Sequence, residues 1–161
     1  MTEEKIVRSK IATFLNTGST ATPVWSLLGL GIVDAAIEYN PQTSEEVFIH
    51  QNSGNTEVES YKPTMPIEAT AYNGNLAFEK IDALRKARAV GAAAYTEIVN
   101  VWLYEAPTTG TYPAEKQNVS VQIESFGGAG GEGAKINFTL NYRGDAVPGT
   151  FNPTTAAFVA S

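Results

Sequence analysis

The chain of 161 residues contains no cysteine and only one histidine. The absence of cysteine excludes disulfide frameworks, thiolate zinc sites and cysteine nucleophiles. A single histidine, His50, excludes multi-histidine metal sites, and a Ser-His-Asp arrangement would have to use it without any G-x-S-x-G motif. We therefore interpret His50 as a solvated or interface side chain. The sequence predicts no catalytic residue, no metal ligand and no cofactor site.

Long apolar runs and an excess of basic charge are also lacking. The 17 acidic residues outnumber the 11 lysines and arginines, which gives a net charge of −6 and disfavours tight nucleic-acid binding. No stretch approaches the ~20 apolar residues of a membrane helix, and MTEEKIVRSK at the start has no apolar segment typical of a signal peptide. We expect no membrane association and one globular domain over residues 1–161.

A glycine-rich stretch carries a motif that can bind nucleotides in another context. Gly128, Gly130 and Gly133 form G-x-G-x-x-G, which cradles a pyrophosphate only where a helix follows. Here KINFTLNY follows, and its apolar and polar residues alternate with the period of a half-buried strand. The glycines are therefore predicted to connect two antiparallel strands, VSVQIESF and KINFTLNY.

The rest of the pattern predicts a mainly β fold, an antiparallel β-sandwich or partly rolled barrel with one flanking α-helix. We expect eight to ten short strands, because alternating segments recur between turn signals. The segments are 11–15, 33–39, 66–72 and 96–105, and the polar arm adds two weaker strand candidates at 46–50 and 57–61. The helix is predicted over Leu76–Val90, with Asn75 as its N-cap and Gly91 as its stop.

Three segments are predicted as arms or tails. Residues 1–10 would form a flexible N-terminal arm, and residues 40–63 an extended hairpin arm that is rich in polar side chains and contributes little to the core. Residues 144–161 would form a C-terminal tail that begins with a turn at Gly144-Asp145 and contains short strands near Thr150–Phe151 and Ala156–Val159. The strand at 96–105 is apolar on both faces, which is typical of a strand covered on both sides. Its Trp102 and Tyr104 are candidates for a subunit interface.

An ordered series of segments resembles the tail tube (major tail) proteins of long, non-contractile phage and prophage tails. The segments are TPVWSLLGLGI, EYNPQTSEE, PIEATAYNGNLAFEKIDALRKARAVG, YPAEKQNVSVQIESFGGAGGEG and GDAVPGTFNPTT, and the resemblance extends from about Lys10 to Phe158. It implies the tail-tube fold that is shared with the inner tubes of contractile tails and type VI secretion. It also implies hexameric rings that stack into a tube, through which DNA passes without specific binding.

The resemblance further implies a virion tail location after synthesis in the host cytoplasm. The implied partners are other copies of the chain, the tail tip or baseplate, the tape measure and the tail terminator proteins. The hairpin arm would make the contact between rings, and its candidate residues are Glu45, Glu46, Phe48, His50 and Tyr61. Polar faces of regular strands supply candidates for the lumen, namely Glu68, Thr70, Gln122 and Glu124.

Two other function classes fit parts of the sequence. A carbohydrate-binding or adhesin-like β-sandwich could use Trp25, Trp102 and the tyrosines as stacking platforms. An enzyme such as a glycosidase could use paired carboxylates, but none of the acidic residues falls in a recognisable catalytic spacing. The sequence favours a structural protein over both.

Overall fold

The computed structural model describes residues 2–161, which contain ten β-strands and one α-helix. The strands are β1 (Ile11–Asn16), β2 (Trp25–Leu27), β3 (Ile32–Ala35), β4 (Pro41–Glu46), β5 (Asn55–Tyr61), β6 (Thr64–Thr70), β7 (Tyr95–Trp102), β8 (Tyr112–Gly127), β9 (Lys135–Asn152) and β10 (Ala157–Ala160). The helix α1 spans Leu76–Ala87, and short 3-10 helices span Arg8–Lys10 and Gly91–Ala94.

Eight strands form one curled antiparallel sheet. Its order is β2-β1-β7-β8-β9-β6-β3, with β10 paired to β9, whereas β4 and β5 form a separate two-stranded hairpin. Every pairing is antiparallel, as expected of strands connected by turns rather than by crossover helices. The predicted mainly β architecture with a single helix is confirmed.

The hairpin of β8 and β9 organises the sheet because both strands are long, at 16 and 18 residues. The first part of β8 pairs with β7, and its last part, 121–127, pairs only with β9. The first part of β9 pairs with β6, and its last part pairs with β10. We call β3, β6, 135–141 of β9 and 121–127 of β8 the four-stranded half.

Two apolar cores lie on opposite faces of the curled sheet. In the first core, Ala77 and Ile81 of α1 pack with Ile67, Val121 and Phe138 of the four-stranded half. The second core contains Trp25, Val99, Val101, Ala114 and Phe151. Strand β7 contributes to both, with Ile98 in the first and Val99 in the second. The prediction that this strand is covered on both faces is confirmed, and both covers come from the same chain.

Helix α1 begins as predicted but ends earlier. The Asn75 side chain accepts a hydrogen bond from the Phe78 N–H at 3.0 Å, which satisfies one of the free amides of the first turn. Arg88 closes the helix in the left-handed region at φ 47°, and the Ala89 N–H bonds back to the Leu84 carbonyl at 3.1 Å. The predicted end at Val90 is therefore wrong, and Gly91 starts a 3-10 turn instead.

Strand β3 is shorter than the predicted strand at 33–39. A β-bulge interrupts its pairing with β6 between Ile32 and Ala35. Because the bulge shifts the alternation by one residue, Val33 is 97% exposed while Ile32 and Ala35 pack on the first core. The prediction that Val33 and Ala35 share one side of a strand is wrong for this reason.

The hairpin arm and the C-terminal segment also differ from the predictions. The strand expected at 46–50 lies at Pro41–Glu46, since it is these residues that pair with β5; residues 47–54 form the connecting loop. The turn expected at Gly144-Asp145 is part of β9, where Gly144 at φ 69° accommodates an irregular register beside β8. Residues 144–161 consequently lie largely in the sheet: the strand expected near Thr150–Phe151 is the end of β9, and the strand expected near Ala156–Val159 is β10.

Candidate functional site

The four lumen candidates share one face of the four-stranded half. The register pairs Glu68 with Asn137, Thr70 with Lys135 and Gln122 with Thr139, and directly paired residues project from the same side of a sheet. Glu124 joins this face, because the Gln122 amide donates a hydrogen bond to its carboxylate. The opposite face carries the apolar side chains of the first core. The sheet thus separates a polar surface from the core beneath α1.

Hydrogen bonds connect the polar side chains of this face. The Asn141 side-chain amide donates a hydrogen bond to the Gln122 side-chain oxygen at 3.1 Å. The Lys135 ammonium donates to the Thr70 hydroxyl at 3.3 Å. Lys135 also lies 4.0 Å from the Glu68 carboxylate, an exposed pair of small energetic weight. With Glu68 and Glu124 against one lysine, the face carries a negative charge excess, which repels phosphate groups.

The four-stranded half has a free edge on each side. Strand β3 bounds one side, and the other is bounded by 121–127 of β8, which has no second strand partner within residues 2–161. An unpaired edge presents backbone N–H and C=O groups that can pair with a strand of another chain. The sheet is therefore able to continue into neighbouring copies on both sides.

The hairpin arm projects as a separate two-stranded sheet. Glu45 and Glu46 end β4, whereas Phe48 and His50 lie in the loop at the tip, with their rings stacked at 6.3 Å between centroids. Tyr61 lies at the base of the arm, where its ring contacts Tyr39 edge-on at 6.3 Å. The structure thus brings four of the five predicted arm residues together near the tip and leaves Tyr61 at the other end.

Of the two tryptophans considered as sugar-stacking platforms, Trp25 is buried and Trp102 is partly buried. Trp25 is 9% exposed within the second core, so it is not available for stacking. Trp102 ends β7 and Tyr104 follows it, with their rings 6.4 Å apart between centroids and tilted by 45°. Tyr104 is 46% exposed and remains available to a neighbouring copy. The carbohydrate-binding interpretation therefore gains no support from these side chains.

A buried polar cluster at the end of the sheet near the arm was not predicted. Thr13 donates a hydrogen bond to the Asn100 side-chain oxygen at 2.8 Å, and the Asn100 amide donates to the Tyr142 hydroxyl at 3.1 Å. Burial raises the pKa of Tyr142 to about 12, and it also raises the pKa of Glu115. The available signal was Asn100 itself, a polar residue between the valines of an otherwise apolar strand.

Two kinds of ligand site were considered for residues 2–161, a metal cluster and a nucleotide loop. They contain no group of three or more His, Asp or Glu side chains placed to hold a metal ion. The segment between β8 and β9 leads directly into a strand, so no helix amino terminus faces Gly128 or Gly130. The hairpin interpretation of the glycine motif is confirmed.

Within residues 2–161, none of the helices has the length and hydropathy needed to span a membrane.

Comparison with known proteins gives similarity at the level of structure. No protein-family model matches the chain, and no curated protein matches it. One similar solved structure is from the tail of an empty GTA particle, refined with C6 symmetry, at a TM-score of 0.62 and 12% identity over 97% of this chain and 100% of the other. Another is from the sheath/tube terminator of PVC, an extracellular contractile injection system, at a TM-score of 0.57 and 10% identity over 92% and 99%.

A third similar structure is from the tube-terminating cap of the anti-feeding prophage, at a TM-score of 0.54 and 15% identity over 93% of this chain and 94% of the other. These three structures come from tails and related particles, and at 10–15% identity they show that this chain shares their fold. They include contractile systems, so the shared fold extends beyond the non-contractile tails of the sequence resemblance.

Proposed function

We propose that this chain is the tail tube protein of a long, non-contractile phage or prophage tail, and that six copies form each ring of the tube. The observation that carries the proposal is the four-stranded half. It has an acidic polar face, an apolar face covered by α1, and a free strand edge on each side. Such a sheet closes into a cylinder when the β8 edge of one copy pairs with the β3 edge of the next.

The dimensions of that cylinder suit a channel. Six copies would contribute about 24 strands, and at a spacing of about 4.8 Å and a tilt of about 40° the backbone cylinder is about 48 Å across. This leaves room for a DNA duplex after side chains are added. Closure would also bury both free edges, which otherwise favour uncontrolled aggregation.

The roles of individual residues follow from this arrangement. Glu68, Thr70, Gln122 and Glu124 would line the lumen, where carboxylates and hydrogen-bonded amides resist adhesion to passing DNA. The hairpin arm, with Glu45, Glu46, Phe48, His50 and Tyr61, would contact the next ring. Trp102 and Tyr104 would contribute to a subunit interface. The ends of the tube would meet the tail tip or baseplate and the terminator, and the tape measure would occupy the lumen before ejection.

Assembly of the purified protein tests the proposal. We expect rings or tubes by negative-stain microscopy, six-fold class averages, and oligomers with six subunits by mass photometry. The measurement should cover a range of protein and salt concentrations, because subunit association follows mass action. A protein that remains monomeric throughout this range would contradict the proposal.

Deletion of the arm separates ring formation from stacking. Removal of 42–59, with a short glycine linker between Pro41 and Ser60, leaves both cores intact, because no arm residue belongs to them. We expect a folded protein that forms rings and no tubes. Normal tubes from this variant would show that another segment connects the rings.

A further inference from the structure

A pocket rich in tyrosine lies next to the buried polar cluster. One side is built by the chain around the base of the hairpin arm, with Tyr39 and Tyr61, whose rings meet edge-on at 6.3 Å between centroids. The other side is built by β8 and β9, with Glu115, Tyr142 and Asp145. Three aromatic rings and a partly buried carboxylate therefore line the same space.

The register of the sheet places Glu115 and Tyr142 beside each other. Glu115 of β8 is paired with Asn100 of β7, and directly paired residues project from the same side of a sheet. The Asn100 amide donates a hydrogen bond to the Tyr142 hydroxyl at 3.1 Å. This bond holds the Tyr142 side chain next to the carboxylate, so both groups belong to one preformed wall.

No cation neutralises the Glu115 carboxylate within residues 2–161. Glu115 takes part in none of their ion pairs, and no lysine, arginine or histidine lines the pocket. The neighbouring cations are engaged elsewhere. Lys116 pairs with Glu97 at 3.5 Å on the opposite face of β8, and the Arg143 guanidinium lies 3.3 Å from the centroid of the Tyr95 ring.

The electrostatics of the pocket favour a positive ligand. Burial raises the pKa of Glu115, and burial together with the nearby Glu115 charge raises the pKa of Tyr39. Negative charge is therefore poorly solvated in this space. A cation placed there would be attracted by the carboxylate and by the negative faces of the tyrosine rings.

We propose that this pocket binds an ammonium or guanidinium group, with Glu115 as its counter-ion and the rings of Tyr39, Tyr61 and Tyr142 around it. The group would come from a lysine or arginine side chain of another copy, or from a free amine. An anion would be repelled by Glu115 and Asp145, and a neutral group would leave the carboxylate without a counter-ion. The pocket is complete in a single copy, so binding does not require assembly into a tube.

Two probes of matched shape test the proposal on the full chain. Saturation-transfer NMR observes the small molecule, so the measurement works whatever the size of the protein assembly. We expect n-butylammonium to bind with a Kd of about 1–10 mM. We expect 1-butanol, which has the same alkyl chain without the charge, to bind at least about tenfold more weakly. Equal binding of the two probes would overturn the proposal.

Substitutions locate the binding site. Glu115→Gln keeps the size of the side chain and removes its charge, so it should weaken n-butylammonium binding at least about tenfold. Glu132→Gln is the matched control, because it makes the same charge change at an exposed residue between β8 and β9, and it should bind as the wild type does. Binding that Glu115→Gln leaves unchanged would overturn the proposal.

A second pair of variants tests the aromatic wall. Tyr39→Phe keeps the ring and should retain the affinity for n-butylammonium within about twofold. Tyr39→Leu removes the ring and should weaken binding at least about threefold. Tyr39 is half exposed, so both variants should remain folded, which urea unfolding checks. Equal affinities of the two variants would refute the role of the ring.

Assembly assays identify the source of the cation. If a basic side chain of another copy fills the pocket, n-butylammonium should raise the protein concentration at which oligomers form, and 1-butanol should not. If a free amine fills it, oligomers should form at the same concentration and still bind the probe. Either result supports the site. A chain that stays monomeric but binds n-butylammonium through Glu115 contradicts the proposed tube function and leaves this site confirmed.

Discussion

Replacement of Ile81 by alanine measures how strongly α1 holds the covered face of the sheet. Ile81 is 1% exposed and lies in the first core, together with Ile67, Val121 and Phe138 of the four-stranded half. The substitution removes three carbon atoms from a site surrounded by strands. The side chains that remain in the core cannot readily fill the space that is left. The decrease in the free energy of unfolding therefore combines the transfer free energy of these atoms with the cost of a cavity.

The expected magnitude is a large fraction of the total stability. A buried Ile→Ala substitution costs about 2–5 kcal/mol, while single domains are stable by about 5–15 kcal/mol. For a chain of this length, each kcal/mol lowers the melting temperature by about 2–4 °C, so Ile81→Ala should lower it by roughly 4–20 °C. Ile81→Val removes one methylene and should cost only about 0.5–1.5 kcal/mol.

Urea unfolding of the arm-deleted protein gives the cleanest measurement, because assembly would otherwise stabilise the folded state by mass action. Leu76→Ala is the matched control on the same helix. Leu76 is 54% exposed, so its truncation should change the free energy of unfolding by less than about 0.5 kcal/mol. Equal effects at the two positions, or a loss below about 0.5 kcal/mol at Ile81, would refute the assignment of α1 as the cover of this core.

Three other experiments test the polar cluster, the second core and the lumen face. Because burial raises the pKa of Glu115, its ionised form is disfavoured in the folded state, and stability is lost as pH rises through the folded pKa. Glu115→Gln should raise the urea midpoint at about pH 7 and bring no gain at about pH 4, and a gain independent of pH would contradict this. Gly149→Ala places a methyl group against β10 and should cost about 1–3 kcal/mol in urea unfolding, whereas Gly130→Ala, with open space around it, should be neutral. Reversal of Glu68 and Glu124 to lysine should slow DNA ejection from virions without preventing tube assembly, and unchanged ejection would remove both from the lumen.

Local patterns predicted the parts of the fold that depend on near neighbours. Alternation in KINFTLNY identified the strand that follows the glycines, and a strand at that position is enough to exclude a nucleotide site. Asn75 marked the start of α1, because the capping hydrogen bond needs only a short polar side chain and the next turn of backbone. The polar residues at 68, 70, 122 and 124 were assigned to strand faces by the same alternation.

The predictions failed where pairing with a distant strand decides the conformation. The bulge beside Val33 turns this side chain away from the core, and it exists only because β3 meets β6. Pairing with β8 keeps Gly144 inside a strand, and pairing of β4 with β5 moves Phe48 and His50 into a loop. A short window of sequence contains no information about which partner a strand will choose.

The sequence by itself determined the class of this protein: an acidic, mainly β chain with one capped helix and no cysteine. Only the tertiary structure decided where its surfaces lie. The curled sheet joins Glu68 and Gln122 on one polar face, although they are distant in the chain, and it leaves the edges of β3 and β8 free. These relations arise from the register of strands that are distant in the chain. Each backbone hydrogen bond between such strands fixes the position of one segment relative to the other, and a short stretch of sequence does not specify that pairing.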